Sequence, residues 1–145
     1  LAQARGTSTA ARSVVASGSG YDRVRAALTR VGGGGIALQQ YGGSCGGVTA
    51  SACAAPSGVI YFTADVARWS DARLHWVMAH ELAHIHQFRV WNTLVASAGY
   101  TSLFGGNIEL LANCMAQQRG YPSGNVWCTG EQLSWSGAVW RGVVP

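Results

Sequence analysis

Lysine is missing from this 145-residue chain: all ten basic residues are arginine, set against six acidic ones, for a net charge of +4. The arginines are scattered, with no block of five or six, so the charge does not read as a nucleic-acid footprint. Solubility is its plain use, and a mild pull toward an anionic wall or membrane surface fits it equally. No apolar run approaches the ~18–20 residues that span a bilayer, which excludes a transmembrane helix. A basic amphipathic helix for lying on a membrane is also lacking. No C-x-x-C pair occurs, so a zinc site built from cysteine is not expected. The 20 glycines follow no three-residue period, which excludes collagen. Charged residues are scarce at 11% and hydrophobic ones reach 48%, the reverse of a disordered composition, and the length suits one domain with one core.

Cysteine is present four times, as Cys45, Cys53, Cys114 and Cys128. An even count fits two disulfides and an oxidising compartment. Three pairings exist, and locality favours Cys45–Cys53 with Cys114–Cys128. Near the start, Ala2-Gln3-Ala4 has the small-x-small form of a signal-peptidase site, which adds to the expectation of a secreted protein.

Residues 1–19, rich in Ala, Ser, Thr and Gly without apolar period, read as a flexible extension, leaving 20–145 as the folded domain. Val24, Ala27, Leu28 and Val31 recur at helical spacing, so 21–31 reads as an amphipathic helix ended by Gly32–Gly35. IALQQY (36–41) and VIYFT (59–63) read as strands, with glycine-rich loop from Gly42 to Gly58 between them. Ser70 or Asp71 can cap a helix that starts near Ala72, ends between Val90 and Gly99, and turns Leu74, Met78, Leu82 and Ile85 to the core. After a glycine break at 105–106, Asn107 caps a further helix that ends before Gly120. The tail from Pro122 reads as loop-rich, and its tryptophans Trp127, Trp135 and Trp140 as core residues rather than a sugar-binding platform.

The chemistry is concentrated in His80-Glu81-Leu82-Ala83-His84, an H-E-x-x-H on a helix. Four residues at 100° each leave an offset of roughly 40°, so both imidazoles project from one face, a turn apart. That suits two corners of a zinc tetrahedron and places Glu81 where it can take a proton from a zinc-activated water. Composition alone would give on the order of 0.002 such matches in a chain like this. A catalytic zinc needs a third protein ligand and one open position. No histidine follows His86, which also rules out the longer H-E-x-x-H-x-x-G-x-x-H pattern. The acidic residues beyond the motif are Glu109, on a predicted helix 25 residues after His84, and Glu131, in the tail. Glu109 is the strong choice, although a first-turn glutamate also suits a helix dipole. His86 and His75 sit about 200° and 140° around the helix from the nearer ligand and point elsewhere. For a hydroxyl that steadies an oxyanion, Tyr61, Tyr100 and Tyr121 stay open.

The strings VMAHELAHIHQ (77–87) and ELLANCMA (109–116) resemble the bacterial neutral zinc metallopeptidase family, a gluzincin-type group, and Cys45-Gly46, Cys53 and the Ile60-Tyr61 strand follow that family's order. The resemblance spans about residues 41–116. It implies zinc on His80, His84 and Glu109, Glu81 as general base, and strand 59–63 as the rim of a cleft where an extended peptide pairs with a sheet edge. It implies an α+β, minimal zincin-like domain: a small sheet whose edge strand packs on the H-E-x-x-H helix, a second ligand helix and a loop-rich tail. Where the family has an Asp that accepts a hydrogen bond from the first histidine, this chain has Asn113, which can still accept through its carbonyl. The expectation is a secreted, monomeric zinc endopeptidase acting on peptide or protein substrates. The alternative is a non-enzymatic, zinc-containing extracellular binding module, against which the retained Glu81 speaks, since a structural site needs no base.

Overall fold

Val59, Ile60, Tyr61 and Phe62 alternate between half-buried and buried, and the two buried side chains, Ile60 and Phe62, enter the core. This strand is the centre of the sheet. A computed structural model describes residues 19–145, so nearly all of the expected extension 1–19 lies outside the described residues. In chain order the elements are α1 (Ser19–Arg30), β1 (Ala37–Gln40), β2 (Ser44–Cys45), β3 (Val48–Thr49), β4 (Ala52–Ala54), β5 (Val59–Phe62), a 3-10 turn (Ala64–Arg68), α2 (Asp71–Arg89), α3 (Trp91–Val95), α4 (Ala98–Phe104), α5 (Ile108–Gln118) and α6 (Gly130–Trp140). Among the described residues the class is α+β, with six α-helices beside a small mixed sheet.

The sheet order is β1-β5-β4. β1 runs parallel to β5 with Leu38 opposite Ile60, and β4 runs antiparallel to it with Cys53 opposite Tyr61. The 59–63 strand is therefore central, not the rim; the edge nearest α2 is β4, inside a stretch that reads as loop because Ser-Ala-Cys-Ala-Ala is short and carries no β-branched pattern. β2 and β3 form a separate two-stranded hairpin. The disulfide Cys45–Cys53 ties this hairpin to β4 with 6.3 Å between the Cα atoms.

Helix α2 begins at Ser70, whose hydroxyl accepts the Arg73 N–H. Its residues from Val77 to Ile85 are all buried, because α1 and the sheet cover one side and α5 and α6 the other. Ala79 and Ala83 allow that close approach. Val24, Ala27, Leu28 and Val31 of α1 are buried against it, as their period requires. Gly105 and Gly106 adopt left-handed φ of 62° and 67° at the corner into α5, a conformation that glycine takes without penalty. Asn107 then caps α5 by accepting the Glu109 and Leu110 amides at 3.0 and 3.1 Å.

The tail is not loop-rich throughout. Thr129 and Gln132 form a reciprocal capping box that starts α6. Ser136 to Trp140 are all buried on it, so no polar face marks the helix in the sequence. Trp135 and Trp140 are core residues as expected, whereas Trp127 is exposed. Cys114–Cys128 joins α5 to the segment before α6 with 5.7 Å between Cα atoms, and no cysteine is free. Several arginines tie segments together. Arg25 donates to the Ile36 and Gly33 carbonyls at 2.6 and 2.7 Å. Arg119 stacks over Trp140 at 3.7 Å while donating to Val31 at 2.9 Å. No helix among the described residues is long and apolar enough to cross a membrane.

Candidate metal centre

His80 and His84 leave α2 one turn apart, and Glu109 reaches them from the first turn of α5. The Glu109 carboxylate lies 2.9 Å from His80 Nε2 with one oxygen and 3.1 Å from His84 Nε2 with the other. The two Nε2 atoms are 3.2 Å apart. Two ligands about 2.05 Å from a tetrahedral ion stand about 3.3 Å apart, so the spacing of the nitrogens fits one shared ion. All three donor groups lie within 4.8 Å of one another, and this group can hold a metal ion.

Hydrogen bonding behind the rings decides which nitrogens carry protons. His80 Nδ1 lies 2.9 Å from Asn113 Oδ1, and the same oxygen accepts the Trp76 indole N–H at 3.1 Å. An indole only donates, so the Asn113 atom facing both groups is the carbonyl oxygen and His80 carries its proton on Nδ1. His84 Nδ1 lies 2.8 Å from Gln87 Oε1. The Gln87 amide nitrogen donates to the Ile108 carbonyl at 3.3 Å, which fixes its oxygen toward His84. In the neutral rings both Nε2 atoms are thus bare lone pairs, facing each other and a carboxylate. Three acceptors converge with no donor among them, and only a cation or a borrowed proton relieves that arrangement.

The electrostatics agree. Once an Nε2 takes up a proton, hydrogen bonds from His80 and then His84 hold the Glu109 carboxyl well below the usual carboxylate range, against burial. Burial alone would lower His84, but the hydrogen bond to Glu109 and the charges of Glu81 and Glu109 raise it. Glu81 is raised, chiefly by burial, although the charges of His80 and His84 and the Ala54 amide oppose the shift.

No protein-family model, curated protein or solved structure matches this chain.

A cleft of about 310 Å³ opens over the cluster. Glu81, His84 and Phe88 of α2, Trp91 of α3 and Ile108 and Glu109 of α5 form one side; Val48 of the hairpin and Ala52 and Ala54 of β4 face them. The amide bonds from Ala55 to Val59 and from Thr63 to Ser51 fix the phase of the β4–β5 ladder. Ala52 and Ala54 therefore direct their backbone groups away from β5.

The candidate tyrosines are elsewhere. Tyr61 lies against the Tyr41 ring, Tyr100 donates its hydroxyl to the Gly106 carbonyl, and Tyr121 meets His75 edge-on; none lines the cleft. Tyr41, which carries no motif, is beside it. Its hydroxyl donates to the carbonyl of cleft-lining Ala50, and burial followed by the Glu81 charge raises its pKa. His86 packs on the Trp140 ring and His75 on Tyr121, both away from the cluster. Gln87 is the residue that sequence reasoning gave no role. Its position three after His84, on the same helical face, is the available signal.

Proposed function

We propose that this chain is a secreted zinc endopeptidase of zincin-like type, holding zinc on His80, His84 and Glu109. The observation that carries the reading is the convergence of three proton-free acceptors beside a buried glutamate, in a cleft bordered by an unpaired strand edge. Two neutral imidazoles and one carboxylate are a donor set suited to a zinc site that keeps one position open. A zinc ion held by His80, His84 and Glu109 would supply Lewis acidity toward a carbonyl and a bound water.

The protein's own groups supply the remainder. Ala52 offers its backbone amide and carbonyl to an extended peptide, which adds as a strand to the β4 edge and brings its carbonyl over the cluster. Glu81, a buried carboxyl beside the cluster, would accept a proton from an attacking water and return it to the leaving amine. Val48, Phe88, Trp91 and Ile108 form apolar walls that favour uncharged, bulky side chains. Two disulfides support an oxidising location outside the cytoplasm.

Hydrolysis of unfolded casein tests the reading. Activity should vanish with a chelator and return with zinc, and metal analysis should give one zinc per chain. Zinc at full occupancy with no hydrolysis of casein or of an apolar peptide library would favour a zinc-containing binding module instead.

A further inference from the structure

We infer that Trp76 is a positioning residue for the metal centre: its indole N–H sets the Asn113 amide and, through it, the tautomer of His80. The inference rests on the metal-centre reading and adds a residue that touches no ligand position. Its basis is a chain of two hydrogen bonds into one oxygen. The Trp76 indole donates to Asn113 Oδ1 at 3.1 Å and His80 donates to the same oxygen at 2.9 Å. The indole also lies against the imidazole, with ring centroids 5.4 Å apart and planes inclined by 55°.

The need for such a lock follows from the residue at position 113. A carboxylate accepts a hydrogen bond whichever oxygen it turns, so it requires no orientation. A primary amide has one accepting end and one donating end. Turned the wrong way, Asn113 would present its NH2 to His80 and favour an imidazole with a lone pair on Nδ1 and the proton on Nε2. That proton would occupy the atom that must ligate. An indole is the side chain suited to prevent this, because it donates one bond and can accept none. Beside Trp76, the flipped amide would put N–H against N–H and leave the indole unpaired. The half-buried Trp76 is one turn before His80 on α2, and Asn113 is one turn after Glu109 on α5, so the lock spans the same two helices as the metal ligands.

The test is a cycle of four proteins: wild type, Trp76→Phe, Asn113→Asp and the double variant. Phenylalanine keeps most of the ring and removes the donor. Zinc affinity is read by competition with a chelator, and the tautomer of His80 by imidazole 15N shifts in the zinc-free protein at pH 8. Circular dichroism confirms folding of each. Trp76→Phe should weaken zinc about tenfold when residue 113 is Asn, within the range for residues behind metal ligands. It should also move His80 from the Nδ1–H form to a mixture. With Asp at 113 the same change should cost less than about twofold and leave the tautomer alone. An equal loss in both backgrounds, or an unchanged His80 tautomer in Trp76→Phe, would overturn the inference and leave the metal centre standing. A wild-type protein that binds no zinc would overturn both.

Discussion

Replacing Gln87 with methionine separates the metal-loaded protein from the empty one. Gln87 is fully buried, accepts the His84 Nδ1–H at 2.8 Å and donates to Ile108 at 3.3 Å. Methionine matches its length and shape, so little packing is lost. The bonds from the Gln87 amide to the Ile108 carbonyl and the Met115 sulfur go too, but alike with and without zinc, so what separates the two states is the partner of His84. In the zinc-free protein the imidazole can move its proton to Nε2 and donate to Glu109, which stands 3.1 Å away, so the empty protein should lose only about 1–2 kcal/mol, from the amide bonds to Ile108 and Met115. With zinc on Nε2 the proton must stay on Nδ1, buried and unpaired, at about 1–3 kcal/mol. That penalty corresponds to zinc binding roughly 10–100-fold weaker, the range seen when groups behind metal ligands are removed. By linkage, each tenfold loss takes about 1.4 kcal/mol from the stabilisation that saturating zinc confers. Thermal melts with and without zinc, beside a chelator competition, read both quantities. A Gln87→Met protein that is destabilised equally in both states, or that binds zinc like wild type, would refute the tautomer argument.

Glu81→Gln should keep zinc and lose at least about 100-fold in turnover on casein, since it removes the proton acceptor and little else; near-wild-type turnover would sink the peptidase mechanism. Asn113→Asp should tighten zinc about tenfold in a chelator titration, because a carboxylate behind His80 makes the imidazole a better donor; unchanged affinity would mean Asn113 does not tune the metal. Burial, then the charges of Arg89 and Arg119, push His86 down to about 4. A lowered folded value means its contribution is full above the unfolded value near 6.5 and is lost as pH falls toward 4. His86 is only partly buried, so that loss is discounted to about 1–2 kcal/mol, and His86→Phe should flatten the wild-type fall in denaturation midpoint over that window by the same amount. Replacing Cys114 and Cys128 with alanine should cost about 2–4 kcal/mol, or roughly 6–12 °C in Tm for a domain this size; an unchanged Tm would count against the cross-link.

The ligand cluster was legible because its residue types are rare here and its spacing is helical: two histidines four apart, and Glu109 nearly alone among acids downstream. Helices α1, α2 and α5 were legible for the same reason, each having caps or a one-sided apolar stripe. Helix α6 was not, since burial all round erases the period. Nor was β4, whose alanines and cysteine carry no strand preference and which is held by β5 and the disulfide. Trp76 and Tyr41 gain their meaning from partners 37 and 9 residues away, through hydrogen bonds that no local pattern encodes.

All three candidate ligands come from α2 and α5, and none from the sheet that walls the cleft. An ion held there stabilises every conformer in which those two helices are docked, including conformers whose β4 edge or disulfide-tethered hairpin has opened. The hairpin and edge strand receive no direct share of that stabilisation. The cleft can therefore open and close without putting retention of an ion at risk.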